Sequence, residues 1–437
     1  MAETGATALT GDKNTAGRIA GGPDGSGVVK IVLISTNAGT NMGGEAMKTF
    51  QFFRELLRQG FDAVLVTHAR NRAELEATFP TERLILVEDT PLQVWAWRNK
   101  VMGLLPLYFH LKVARLVRAR FDPARTVLHY LCPVSPVAPR FPPRGFKVIM
   151  GPFTGNIYFP KVFADKMTRR QRLASWLHMP TQRLLGLVLG DKRRADRVLV
   201  SGYERTRASL IAAGCDPARL VDVVDSGVSE RIAARPRIHH EGVNPHFVSS
   251  GRHDLHKGFH LSLMALARTR PDITLTIFGD GMMRPRLESL TDRLGLRDRV
   301  RFEGWQDHEV LLERLRDFRG YVFPSMAEAN GIVVQEAMML GLPVIALRWG
   351  GPMMLGDAGT AHMIEVTTEE AVIDGIARAM ERLAHDGAHA ESLSQAARAR
   401  AEARDSWDRV AASWTAEYAA LIPGAERPAC APGNGAP

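Results

Sequence analysis

The chain has 437 residues, 45% of them hydrophobic. That is more than one core fills, because single cores stop growing at roughly 250–300 residues, so two medium domains are expected. Its three cysteines are odd in number and lack CxxC spacing, which excludes a disulfide framework and a Cys-based zinc site, while the net charge of +9 leaves anionic partners open.

Residues 1–27 are polar and Gly/Thr-rich, without the apolar core of a secretory signal, and read as a disordered leader. Val28–Thr36 is an apolar, β-rich run. It is broken at Asn37, passes a glycine pair, Gly43-Gly44, and continues as a stretch of helical period, EAMKTFQFFRELLRQG. Phe61–Thr67 is the next strand, which completes a strand–Gly loop–helix–strand unit. Leu84–Glu88, Thr126–Leu131 and Phe146–Met150 are short apolar runs of the kind found in buried parallel strands. Between them, Leu107, Leu111, Ala114, Val117 and Phe121 recur at helical spacing and are expected to face the sheet.

The basic excess sits in this half. Residues 98–125 hold seven basic residues against one acid, and residues 161–207 hold twelve against four. Lys112, Arg115 and Arg118 form one stripe, and Arg169, Arg170 and Arg172 cluster near Trp176 and Leu177. Such a surface attracts anionic lipid or a lipid-phosphate acceptor, and equally describes an ordinary solvated face. No apolar run reaches the roughly 20 residues a bilayer span needs.

Around residues 228–241 the apolar periodicity lapses, and near residue 243 the strand–helix alternation restarts. Pro245–Ser250, Thr274–Phe278, Val300–Glu303, Tyr321–Pro324 and Pro343–Ala346 are the expected strands, with a helix over 331–340. The division is therefore an N-terminal Rossmann-like domain over 28–228, a second over 229–405, a helix over 406–423 and a disordered tail over 424–437. Ligands in such folds bind at the C-terminal strand ends, in the cleft between domains.

Three segments of the second half carry candidate chemistry. In SMAEANGIVVQEAMMLGLPVIA, Glu328 precedes and Glu336 lies within the helix that Asn330-Gly331 opens. A helix start offers unpaired N–H groups to a phosphate, and a carboxylate accepts two hydroxyl hydrogen bonds. Acids are also common near helix starts for no functional reason. In SSGRHDLHKGFH, Arg252 and Lys257 follow a strand end, where two cations can neutralise a diphosphate leaving group without a metal. An ordinary basic loop reads the same way. In IFGDG, Gly279 and Gly281 permit close backbone approach or simply make a tight turn.

Taken together, these segments resemble the retaining glycosyltransferases of family 4, with the GT-B fold of two facing Rossmann-like domains. The resemblance is close over 243–346 and looser over WGGP at Trp349–Pro352 and the final helix. Glu328 and Glu336 have that family's Glu-x7-Glu spacing, and Arg252 and Lys257 match its diphosphate cations. The resemblance implies that Glu336 binds ribose and Glu328 the donor sugar, that Arg299–Gly304, with Phe302, lies by the nucleotide base, and that Gly279, Asn330, Gly331 and Ile332 line the donor site. Gly43 and Gly44 resemble the family's glycine pair at the donor phosphate. His129 resembles a strand-end His near the donor sugar, although many relatives carry it two residues later, where this chain has Leu131. MGPFTGN resembles an acceptor-side loop, with Gly151, Gly155 and Asn156 nearest the acceptor. Two departures are Asn330, where relatives have Phe or a small residue, and Met353-Met354, where many carry an acid after WGGP.

The resemblance implies transfer of a hexosyl-type sugar from a nucleotide-diphosphate sugar, with retention and without a metal or other cofactor. A lipid-linked saccharide or polysaccharide is the expected acceptor, as in exopolysaccharide assembly. The expected location is cytoplasmic, with peripheral contact at the anionic inner face of the membrane. An epimerase of similar fold acting on the donor alone is the alternative enzyme. A non-catalytic nucleic-acid-binding protein is the alternative class, but no helix-turn-helix, zinc or RNA-binding signature is present. A nicotinamide dehydrogenase is excluded because no G-x-G-x-x-G follows the first strand.

Overall fold

The structure is a computed structural model that describes residues 29–98, 104–155, 157–201 and 204–421. The expected leader, tail and Asn156 lie outside these residues.

The first sheet has seven parallel strands: β1 (Lys30–Ile34), β2 (Asp62–His68), β3 (Leu84–Val87), β4 (Thr126–Tyr130), β5 (Lys147–Phe153), β6 (Arg197–Val200) and β7 (Leu220–Asp222). Their order is β3-β2-β1-β4-β5-β6-β7, so the direction of winding reverses between β1 and β4. Strand side chains alternate between faces. Ile31 and Leu33 pack into one apolar layer, Val32 and Ile34 into the other. Because both faces are covered, the strands are apolar throughout rather than alternating.

The second sheet has six parallel strands: β8 (His246–Ser250), β9 (Thr274–Phe278), β10 (Val300–Gly304), β11 (Gly320–Phe323), β12 (Val344–Leu347) and β13 (His362–Ile364). Its order is β10-β9-β8-β11-β12-β13. Phe247 and Ile277 face one layer, Val248 and Phe278 the other. The molecule is therefore two doubly wound α/β domains of GT-B type.

The chain passes between the sheets side by side at Val228 and Ser406, and the segment after β5 also sends Phe159, Phe163 and Met167 into the second domain's core. Val228 and Ser406 pair as a parallel bridge, and Val228 N–H donates to the Asp405 carbonyl at 2.7 Å. After the second crossing, the helix Trp407–Leu421 returns to the first domain. Its Trp407, Trp414 and Tyr418 pack with Phe52 and Phe53 on one face of the first sheet. Trp414 is fully buried and donates its indole N–H to the Val224 carbonyl at 3.0 Å.

One helix differs in register from the sequence reading. In Leu104–Arg120 Phe109, His110, Val113 and Val117 are buried, as is Phe121 just beyond it, while Leu111 is exposed; of the expected stripe, Val117 and Phe121 face the core and Leu111 does not. Phe109, 4.5 Å from the His68 ring, and His110, 5.7 Å from the Tyr130 ring, take the sheet face, and Tyr108 is left exposed.

Candidate active site

The site is built from loops at the C-terminal strand ends. β11 ends at Phe323, and the chain runs through Glu328 to Gly331, which caps the helix Ile332–Met339 at φ 82°. That left-handed conformation suits glycine. The Trp349–Pro352 loop packs beneath: Gly351 N–H donates to the Glu328 carbonyl at 2.8 Å. A Cβ on Gly350 would stand 2.5 Å from the same oxygen. The glycine pair of WGGP thus lets one loop support the backbone of the other.

Lys257, from the loop after β8, donates its ammonium to Glu328 Oε2 at 2.5 Å, and each side chain is 21% exposed. The ammonium also lies 5.6 Å from the Phe323 ring centroid, on the path between strand end and loop. Arg252 does not join this pair. Its side chain is 71% exposed, with Nε 2.6 Å from Asp254.

Glu336 stands on the second turn of the capped helix, 13% exposed, with His308 Nε2 3.2 Å from Oε1. The Glu336 hydrogen bond raises the His308 pKa above its ordinary value, against a burial effect that lowers it. His308 opens a helix capped by the Asp307 side chain. Phe302, near the end of β10, lies 5.7 Å beneath the Arg284 guanidinium. Gly279 N–H donates to the Gly304 carbonyl at 2.6 Å, joining the β9 and β10 ends. Arg299 lies at the start of β10, bonded to Ile273 O and Thr269 Oγ1, so only the 302–304 part of the expected base segment reaches the mouth.

Across the cleft, Gly43 caps the helix Gly44–Arg58 at φ 88°. A Cβ on Gly44 would meet nothing within 4 Å, so packing does not require glycine there. A cavity of about 270 Å³ lies between the domains, lined by Gly44, Lys48 and Thr154 on one side and Glu328, Gly331 and Ile332 on the other. The structure therefore gathers Gly44, Glu328, Asn330, Gly331 and Ile332 around one space. Asn330 Nδ2 donates to Ser226 Oγ at 2.6 Å, and Gln335 Nε2 to Ser226 O at 3.0 Å, which ties this loop to the interdomain crossing. Trp349 Nε1 adds a bond to Tyr158 O at 2.9 Å.

Lys48 is the residue sequence reasoning misses. It is 3% exposed and 2.6 Å from Asp225, at the floor of the cavity. Burial alone would lower its pKa, but the Asp225 carboxylate more than offsets this and holds it charged. In sequence it is an unremarkable helix lysine 177 positions from its partner.

His129 is not brought to the cavity. It is fully buried, with Nε2 2.7 Å from the Gly151 carbonyl and Nδ1 2.6 Å from the Tyr418 hydroxyl. A carbonyl can only accept, so Nε2 carries the proton and Nδ1 accepts from Tyr418. Burial pushes the His129 pKa down to about 4, which keeps it neutral. Both nitrogens are occupied in joining the first sheet to the last helix, and His129 is not among the residues that line the cavity. Gly151 is likewise buried, and a Cβ there would come 2.3 Å from the Leu199 carbonyl. Close packing beside β6 accounts for this glycine. Gly155 is partly exposed, and its carbonyl accepts from Thr206 Oγ1 at 2.6 Å.

Residues 231–400 match the family Glycosyl transferases group 1. The lipopolysaccharide core biosynthesis glycosyltransferase LpsE of Rhizobium meliloti is 34% identical over 152 residues, 35% of this chain and 43% of that protein. A glycogen synthase of Mycobacterium tuberculosis is 32% identical over 181 residues, 41% of this chain and 43% of that protein. The chain thus spans less than half the length of these relatives. Among solved structures, HepE of Anabaena in complex with UDP is similar in fold, with a TM-score of 0.61 and 17% identity over 90% of this chain and 100% of that one. Residues 231–400 of this chain, most of its second domain, thus match the group 1 glycosyl transferases, and the whole has a two-domain scaffold of GT-B type.

Proposed function

We propose that the protein is a retaining, hexosyl-type glycosyltransferase that moves a sugar from a nucleotide-diphosphate sugar to a lipid-linked or polysaccharide acceptor. The observation that carries this reading is the Lys257–Glu328 pair at the rim of the interdomain cavity, beside the Gly331 helix start. Glu328 accepts hydroxyls of the donor sugar, and Glu336 accepts those of the ribose. Lys257 and the first N–H groups of the helix after Gly331 face the diphosphate, where charge grows as the bond from C1 to the phosphate oxygen breaks. Arg252 reaches the same charge by leaving Asp254. The acceptor oxygen bonds C1 on the face the phosphate leaves. Its proton passes to a departing phosphate oxygen, so no protein base is required and the neutral, enclosed His129 is no obstacle. These cations take the role a metal would have, so transfer proceeds without one. The UDP bound to HepE supports a uridine diphosphate donor, and the name of LpsE supports a saccharide acceptor.

The test is incubation of the purified protein with a panel of nucleotide sugars and candidate acceptors, followed by mass spectrometry. Release of nucleoside diphosphate together with a new glycoside is expected. Conversion of the donor sugar without a glycoside would establish the epimerase alternative and overturn the transfer reading.

A further inference from the structure

The helix Arg169–Leu189 is built inside out. It is well started, with Thr168 as N-cap in a reciprocal capping box with Gln171. Its inward face is polar or small. His178 meets Ser209 at 3.0 Å, Gln182 donates to the Pro136 carbonyl at 2.9 Å, and a Cβ on Gly186 would stand 2.4 Å from the Ala213 carbonyl. Its outward face is apolar. Leu173, Trp176, Leu177, Leu184, Leu187 and Val188 fall at i, i+3, i+4, i+11, i+14 and i+15, one stripe of a helix of period 3.6. All six are exposed, Trp176 at 72% and Leu187 at 70%. An apolar row of this size on a protein surface marks something that covers it.

Charge identifies the occupant. The helix carries Arg169, Arg170, Arg172 and Arg183 and no Asp or Glu, and all four arginines are exposed. A second copy seated on this face would bring the same four cations against them, because a two-fold contact pairs a patch with itself. The segments 1–28 and 422–437 contain no Phe, Trp or Tyr and no run of large apolar residues, so their sequence does not match the row. An anionic lipid surface satisfies both features. It takes leucine and tryptophan into the boundary between headgroups and chains and pairs the arginines with phosphate.

We propose that the Arg169–Leu189 helix lies flat on an anionic membrane, its Leu173–Val188 row inserted and its arginines at headgroup level. The surface is one defined helix rather than the basic half as a whole. The stripe Lys112, Arg115, Arg118 lies on a different helix, whose apolar residues Phe109, Val113 and Val117 are in the core. The proposal stands apart from the transfer reading, because the binding it predicts needs neither donor nor acceptor.

The full chain is co-sedimented with vesicles of phosphatidylcholine alone and of phosphatidylcholine with phosphatidylglycerol, at low and high salt. Binding to the anionic vesicles at low salt is expected, and high salt weakens it. Leu184→Gln with Leu187→Gln, both solvent-facing, lowers the partition coefficient about tenfold or more. Arg169→Gln with Arg170→Gln and Arg172→Gln lowers it roughly 100-fold. Circular dichroism and Tm of both variants match the parent, which separates lost binding from lost folding. Equal binding to the two vesicle types, no binding at low salt, or parental binding by the leucine variant overturns the proposal. So does a concentration-dependent dimer by light scattering that the leucine variant abolishes.

Discussion

Replacing Lys257 by alanine removes the cation from the Lys257–Glu328 pair, and the structure sets the size of the effect. The ammonium is 21% exposed, so it is neither in bulk water nor in a dry interior. At an effective dielectric near 20, two unit charges about 4 Å apart interact by about 4 kcal/mol. The residual solvent contact lowers this toward roughly 3 kcal/mol, or about 10²-fold in rate, if the charge acts on the breaking phosphate bond. The pair itself adds little to folding, about 1 kcal/mol or less, which moves Tm by no more than about 4 °C. The assay is nucleotide release from a donor sugar, with UDP affinity measured by calorimetry. Lys257→Ala is expected to lose about 10²-fold in kcat and to bind UDP more weakly. Glu328→Gln separates two roles. If Lys257 holds the diphosphate, Glu328→Gln loses rate but keeps UDP affinity. Unchanged rate and UDP affinity in a folded Lys257→Ala protein would refute the reasoning.

Glu336→Ala is expected to weaken UDP binding by roughly 1–3 kcal/mol, because it removes a nearly enclosed acceptor for ribose hydroxyls; equal affinity by calorimetry contradicts that role. Activity is expected to persist in excess chelator, since Lys257 and Arg252 are proposed to carry the diphosphate charge, and strict dependence on added magnesium or manganese contradicts it. Asp405 is fully buried, Arg404 Nε stands 4.0 Å from its carboxylate, and burial pushes its pKa up to about 6. Its folded value exceeds its ordinary one of 3.8, so this carboxyl costs nothing below that pH and destabilises the fold as pH rises through about 6. The rise of about two pKa units corresponds to about 3 kcal/mol above neutrality. Asp405→Asn is therefore expected to raise Tm at pH 8 and to leave it near the parent value at pH 4. A gain of the same size at both pH values, by calorimetric scan, would remove titration as its cause.

The central strands of both sheets are legible because each is a short, wholly apolar run between turn residues. β6, β7 and β13 are not among the expected strands. β7 and β13 are three-residue edge strands, and β6 follows the charged run Asp191–Asp196, so too few apolar residues mark them. Glu328, Gly331 and Glu336 are legible because one strand, loop and helix carry them in fixed spacing. Lys48, Asp225 and His308 are not, because each owes its place to a partner distant in sequence. His129 shows the reverse failure. A histidine at a strand end looks the same in sequence whether it faces a ligand or, as here, a tyrosine 289 positions away.

The bridge between Val228 and Ser406 gives the molecule a property that its linear order conceals. A Cβ on Gly227 would stand 2.6 Å from the backbone of Trp407, so the outgoing and returning strands run in direct contact. A cut at that junction would not yield two whole domains. The first would lose Trp407, Trp414 and Tyr418, the panel that closes one side of its sheet, while the second would retain them as an exposed appendage. The first domain is thus discontinuous, finished only by a helix that is synthesised after the second domain. Its nascent form must wait with Phe52 and Phe53 unroofed until the whole second domain has been made.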